Sequence, residues 1–135
     1  MCGWTPDRKA KYKFLVTGKA VLPSANTVGS NTKGASGHKY RKWRTSIDLA
    51  IRAQLNQIPR ARRHRTGIIT RYYHGDFRAY DEENFVAGCK PLVDVLRAYG
   101  VIHNDNAAYW KGYYRQVKSE TGYTYFTVEL YEFEP

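Results

Sequence analysis

The sequence predicts an α/β (α+β) fold, a single small domain with a mixed β-sheet, two main helices packed on it and a C-terminal β-hairpin. Three observations carry that expectation. At 135 residues the chain suits one hydrophobic core, and neither an internal repeat nor a composition break divides it, so residues 1–135 are read as one domain. A hydrophobic share of 42% with 15% aromatic supplies the apolar surface that such a core needs. Stretches with a period of two alternate with stretches of helical period, the mark of strands mixed with helices.

The elements follow in order. Tyr12 to Val16 (YKFLV) reads as a first strand, and Val21-Leu22-Pro23 closes the apolar segment after it. Residues 24–38, SANTVGSNTKGASGH, have almost nothing to bury and are expected to form a mobile surface loop, which at this length is either functional or disordered. From Lys39, Trp43, Ile47, Ala50, Ile51 and Leu55 recur at three and four while Arg41, Lys42, Arg44 and Arg52 point elsewhere, which predicts an amphipathic helix with a basic outer face, ended by Pro59. Arg60 to Arg65 is a cationic connector. Gly67 to His74 (GIITRYYH) is β-branched and aromatic and reads as a central strand leading to a polar loop at Gly75 to Tyr80. Asp81 opens a second helix reaching to about Ala98, with Phe85, Cys89, Leu92 and Leu96 as its buried stripe. Pro91 predicts a kink between Gly88 and Pro91, because proline lacks an N–H and clashes with the carbonyl of Ala87. Gly112 to Glu132 splits at Ser119-Glu120-Thr121-Gly122 into two strands, with Phe126, Val128 and Leu130 on the buried face of the expected hairpin.

Charge narrows the function. The net charge is +10, but residues 1–66 hold 15 Lys and Arg against the two acids Asp7 and Asp48, or +13, while the remainder holds 7 against 10, or −3. A basic half suits a polyanion, and an acidic cluster in the other half suits a divalent cation brought to it. DNA contacts are expected from Lys39, Arg41, Lys42, Arg44, Arg62, Arg63 and Arg65, with Asn26 and Lys33 in the loop. No run approaches the ~20 apolar residues of a membrane span, and MCGWTPDRKAK lacks the apolar stretch of a secretory signal, so a cytoplasmic protein is expected. Cys2 and Cys89 are too few for a disulfide scaffold or a thiolate zinc site.

The chemistry concentrates at Asp81-Glu82-Glu83-Asn84 and at Asn104-Asp105. Asp81 fits an N-cap, with Glu82 and Glu83 favoured by the positive end of the helix dipole. Helical spacing places Glu83, Lys90, Asp94 and Arg97 in one stripe, and Gly100 permits a left-handed turn after which Val101 and Ile102 return Asp105 toward the helix start. Carboxylates that converge repel one another unless they share protons or hold a cation, and oxygen ligands suit Mg2+, with Mn2+ an alternative. Lys90 adds a positive group for phosphodiester hydrolysis. His74, Asp76 and His103 lack a ligand spacing and are read as loop residues.

Asp81-Glu82-Glu83-Asn84-Phe85, Ala87, Lys90-Pro91, Asp94, Leu96, Gly100-Val101-Ile102 and Asn104-Asp105 together resemble the RusA family of Holliday junction resolvases. Pro23-Ser24-x-Asn26 is similar to that family's early Pro-Ser-x-Asn element. The resemblance implies a homodimer that nicks four-way DNA junctions in symmetric pairs with magnesium. It implies Asp81, Glu83 and Asp105 as metal carboxylates, Lys90 near the scissile phosphate, and Asn84, Asp94 and Asn104 as supporting positions. Two positions depart from the pattern: Glu83 stands where the family has a second Asp, and Asn104 where it has the first of an Asp pair.

Two other readings use the same features. One is a branched-DNA-binding protein of this fold without turnover, which only the acidic cluster distinguishes from a nuclease. The other is an RNA-directed protein stacking bases on Tyr72, Tyr73, Tyr109, Trp110, Tyr113 and Tyr114, although aromatics in strands more often form cross-strand pairs.

Overall fold

Four strands form one sheet in a computed structural model of the chain: β1 (Ala10–Gly18), β2 (Arg65–Tyr73), β3 (Trp110–Lys118) and β4 (Tyr125–Phe133). Three α-helical segments accompany them, α1 (Ala35–Arg52), α2 (Glu82–Gly88) and α3 (Lys90–Ala98), with a short 3-10 turn at Leu55–Gln57. The structure describes residues 10–23, 35–74 and 78–133, and for 10–12, 35–40 and 133 the backbone alone. Asn26, Lys33 and Asp76 therefore lie outside the described residues, as does the Lys39 side chain. The mixed α+β class expected from the sequence is the one observed. Among the described residues no helix is long and apolar enough to cross a membrane.

The spatial order is β1-β4-β2-β3, with β4 antiparallel to both β1 and β2, and β3 parallel to β2. β2 is buried almost throughout because it has a neighbour on each edge. The inward residues Val16, Ile69, Phe126, Val128 and Leu130 form one core with Ile47 and Ile51 of α1 and Leu92, Val95 and Leu96 of α3. The C-terminal strands are present, but they do not pair as a hairpin. β2 lies between them, and the link after β3 passes the end of β2, where the Ser119 N–H donates to the Tyr73 carbonyl at 2.6 Å. Alternation along a strand records which face is buried and not which strand is its neighbour, so the sequence pattern of a hairpin and of this wider link are alike.

Three boundaries also move. α1 begins at Ala35, within the stretch read as loop, and stops at Arg52, ahead of Pro59. Gln54 seals that end: its amide donates to the Ala50 carbonyl at 2.8 Å and exchanges hydrogen bonds with the backbone of Thr17 in β1. The second helix is broken at Cys89, within the expected kink, and Pro91 then sits in the first turn of α3, where its missing N–H has no intrahelical partner to lose. Gly100 has a φ of 73°, the left-handed turn expected after the helix.

Arg65 corrects the reading of the cationic connector. Arg62 and Arg63 are exposed, whereas Arg65 is 1% exposed, the first residue of β2. Its Nε donates to Glu132 at 3.1 Å, its Nη1 donates to the Val101 carbonyl at 2.9 Å, and its guanidinium stacks over Phe14. It is a structural cation and not a DNA contact: burial leaves no phosphate access, and strand periodicity turns it inward. Next on that face is Gly67, where a Cβ would collide with the Trp110 indole, so the indole lies directly on the backbone.

Arg65→Met should lower unfolding stability by about 2 kcal/mol, since it strands Glu132 and a buried carbonyl. Chemical denaturation measures this. Under the expectation of DNA binding, its salt dependence should stay as in the unmodified protein, and a shallower slope would return Arg65 to the expected contacts.

Candidate functional site

The descent into the acidic segment is held by a second inward arginine. Arg71 is 1% exposed near the end of β2. Its Nη1 donates to the Arg78 carbonyl at 3.0 Å and to Gln116 Oε1 at 2.9 Å, and its guanidinium lies 3.7 Å from the centre of the Tyr80 ring. Gln116 of β3 grips Tyr80 from both sides: Oε1 accepts the Tyr80 N–H and Nε2 donates to the Tyr80 carbonyl, each at 2.8 Å. The Tyr80 hydroxyl donates to the Leu22 carbonyl at 3.0 Å. The residue before Asp81 is thus fixed at its amide, carbonyl, ring and hydroxyl. Burial pulls the Arg71 guanidinium below its ordinary pKa, with Tyr80 and Tyr73 opposing that shift, and its Nε is buried without a hydrogen-bond partner among the described residues.

Asp81 occupies the N-cap position of α2, with φ −56° and ψ 143°, but its side chain makes no capping hydrogen bond. The capping role expected from sequence is not taken up, and among the described residues the exposed Asp81 carboxylate meets no hydrogen-bond donor. Glu82 and Glu83, also exposed, follow in the first turn, and Asn84 is half-buried. Beneath them Phe85 meets Tyr114 edge-on at 6.2 Å, anchoring the inner face of the turn.

Helix α3 carries the expected cation. Lys90 is exposed and reaches Asp94 at 3.5 Å, an i,i+4 pair in which the Asp94 side chain is largely covered. Because α2 and α3 are separate segments, Glu83 lies on a different helix from Lys90, Asp94 and Arg97, and the single stripe of the sequence pattern is divided. Asp105 ion-pairs with Arg97 at 3.7 Å, and Asn104 accepts the Asp105 N–H at 2.7 Å.

The parallel register explains where these groups fall. It pairs Arg65 with Trp110 and Tyr73 with Lys118, so a crossover that leaves after Tyr73 returns at the opposite end of a ladder roughly 25 Å long. Tyr80 is gripped opposite Arg71, whereas the return turn is held at Val101 by Arg65. Among the described residues, no three His, Cys, Asp or Glu side chains form a group able to hold a metal ion. By donor type Asp81 and Glu83 fit a hard divalent cation. Asp105 does not join them in such a group among the described residues, and it pairs with Arg97.

Cys89 is no rival nucleophile. It is 1% exposed, and burial pushes its thiol far above the ordinary value of 9.0, opposed only in part by Arg71, so it stays protonated at neutral pH. The DNA contacts expected on α1 divide by exposure: Arg41 and Lys42 are exposed and Arg44 is half-buried. The residues that sequence reasoning missed are Arg71, Gln116 and Tyr80. The signal was an arginine within the β-branched and aromatic run read as a central strand, where a buried charge must be met by other groups of the chain. No protein-family model matches the chain, and no curated protein does.

Two outcomes follow. Gln116→Ala should cost about 2 kcal/mol, since three hydrogen bonds are lost, and should speed hydrogen exchange at Tyr80 more than in the core of β2. Above about pH 9 the unfolded chain releases the Cys89 proton that the folded chain keeps, so stability should fall with rising pH at up to ~1.4 kcal/mol per unit. Cys89→Ala should flatten that decline in denaturation curves taken from pH 8 to 10.

Proposed function

We propose that this chain is an endonuclease of branched DNA, acting on four-way junctions by hydrolysis of phosphodiester bonds with a divalent cation, Mg2+ or Mn2+. The observation that carries the reading is Asp81, a carboxylate at a helix start, freed from capping and held in place by the Arg71–Gln116–Tyr80 clamp. Exposed Glu83 on the first turn and exposed Lys90 beyond it support the same reading, as does the resemblance of this segment to RusA resolvases. The basic first half supports a polyanionic substrate.

Asp81 and Glu83 would hold the cation, which supplies charge to the phosphate transition state and lowers the pKa of an attacking water. The residues of the chain itself do the remainder. Lys90 offsets charge on the scissile phosphate, and Arg41, Lys42, Arg62 and Arg63 bind the backbone on either side. A homodimer would present two such sites to the two-fold related strands of a junction.

A second reading, a branched-DNA-binding protein without turnover, is favoured by one observation, the Arg97–Asp105 ion pair that engages the third expected carboxylate. A labelled four-way junction incubated with Mg2+, Mn2+ or chelator decides between them. The nuclease reading expects nicks with metal, lost in Asp81→Asn with binding intact and slowed ~100-fold or more in Lys90→Ala. Junction binding without nicks in either metal supports the second reading. Asp105→Asn refines the site: normal nicking confines the cation to Asp81 and Glu83, and loss of nicking shows that Asp105 leaves Arg97 when DNA binds. Because Asp81 caps nothing, Asp81→Asn should change stability by less than the ~1 kcal/mol typical of a lost cap. Binding should also weaken by orders of magnitude between low and moderate salt, measured by anisotropy.

A further inference from the structure

One face of the sheet is packed under the helices, and the cross-strand registers give the composition of the other. It carries Lys13, Leu15 and Thr17 of β1, Tyr125, Thr127, Glu129 and Tyr131 of β4, Ile68, Thr70 and Tyr72 of β2, and Lys111, Tyr113, Arg115 and Val117 of β3. On the outer strands this face is in contact with solvent, Leu15 being 55% exposed and Val117 39%, while Ile68, Thr70 and Tyr131 in its middle are buried. Its centre is tied by Glu129, which pairs with Lys13 and Arg115 at 3.1 Å each, while Arg115 Nε donates to Thr70 at 2.7 Å.

Toward one end the face becomes aromatic. Tyr72 and Tyr125, directly opposite on β2 and β4, stack with centroids 4.3 Å apart and planes 8° apart. Tyr123 continues the row, 5.3 Å from Tyr125, and is 42% exposed. Lys19 Nζ lies 4.5 Å from the centre of the Tyr123 ring, and a shallow recess of about 380 Å³ lies between Thr17, Gly18, Lys19, Tyr123 and Tyr125. A buried cross-strand pair would account for Tyr72 and Tyr125 alone. It does not account for an exposed third ring with a cation over it at the mouth of a recess.

We infer that this end of the open sheet face is a stacking platform for unpaired bases of a single DNA strand, with a base on Tyr123 and its phosphate on Lys19. The chemistry is complementary on both counts: base and tyrosine offer flat π faces, and among the described residues the charged groups on this face are Lys13, Lys111 and Arg115 against Glu129, with Lys19 at its end. Such stacking is tolerant of sequence, so thymidine runs are suitable probes. The inference rests on the reading of this chain as a DNA-binding protein, and it adds a site for single strands exposed at a branch.

Fluorescence anisotropy on the full chain, with a thymidine oligomer and a duplex of equal length at one salt concentration, tests it. Tyr123→Ala should weaken oligomer binding about tenfold while leaving duplex binding unchanged. Tyr123→Phe should restore the loss, because it keeps the ring, and Lys19→Ala should reduce the salt dependence of oligomer binding. Unchanged oligomer affinity in Tyr123→Ala, or equal losses on oligomer and duplex, overturns the platform while the nuclease reading stands. Uridine oligomers bound tenfold more tightly than thymidine ones would also overturn it, by making RNA the occupant. If the unmodified chain binds neither oligomer, duplex nor junction, the proposed function fails with it.

Discussion

The nine-residue parallel ladder between β2 and β3 is the constraint to which the other elements answer. Parallel neighbours cannot be joined by a tight turn, so the chain must cross a face of the sheet, and α2 and α3 are that crossing. Their apolar side, Phe85, Cys89, Leu92, Val95 and Leu96, completes the core against the inward rows of β2 and β4. β4 then takes the remaining edge of β2 and pairs onward with β1. The layer of helices on one face and the solvent-facing composition of the other both descend from this one strand relation.

Two inward arginines of β2 anchor the two ends of the crossing. Arg65 and Arg71 lie six residues apart on one face, and each donates to a backbone carbonyl of the connecting chain, Val101 for one and Arg78 for the other. Their charges are met differently. Arg65 has a carboxylate, Glu132, whereas Arg71 is spread over the Tyr80 and Tyr73 rings and neutral oxygens. A planar guanidinium can bond in its plane and stack on its faces at once, which an ammonium cannot, so lysine would fill neither position. The consequence is positional: Arg78 and Tyr80, just before Asp81, are hydrogen-bonded to Arg71 and Gln116 of the sheet, the condition under which a carboxylate can act with defined geometry.

The polar groups are correspondingly divided. Asp81, Glu83 and Lys90 are exposed along the crossover, and Arg41, Lys42, Arg62 and Arg63 are exposed on α1 and the connector. The open sheet face contributes tyrosines and a second set of cations. Paired duplex arms and unpaired strands differ in what they offer a protein, phosphate rows in the one and free base faces in the other. In the proposed reading, the basic side chains of α1 and the connector and the exposed Tyr123 ring would meet those two chemistries.

Much was decided by sequence alone. Period-two rows placed Phe126, Val128 and Leu130 inward, the helical stripe marked Phe85, Cys89, Leu92 and Leu96 as core, Pro91 located the break, and Gly100 located the left-handed turn, because each depends on local stereochemistry or on one face being apolar. The acidic segment and its lysine were legible as residue types at a helix start. Tertiary structure decided the rest. Which strand β4 pairs with, whether Asp81 caps its helix, which connector arginine turns inward, and where Asp105 comes to lie depend on contacts between residues distant in the chain, Arg65 with Glu132 and Arg71 with Gln116 among them. Alternation and charge spacing report the face on which a side chain stands, and they carry no information about the partner that meets it there.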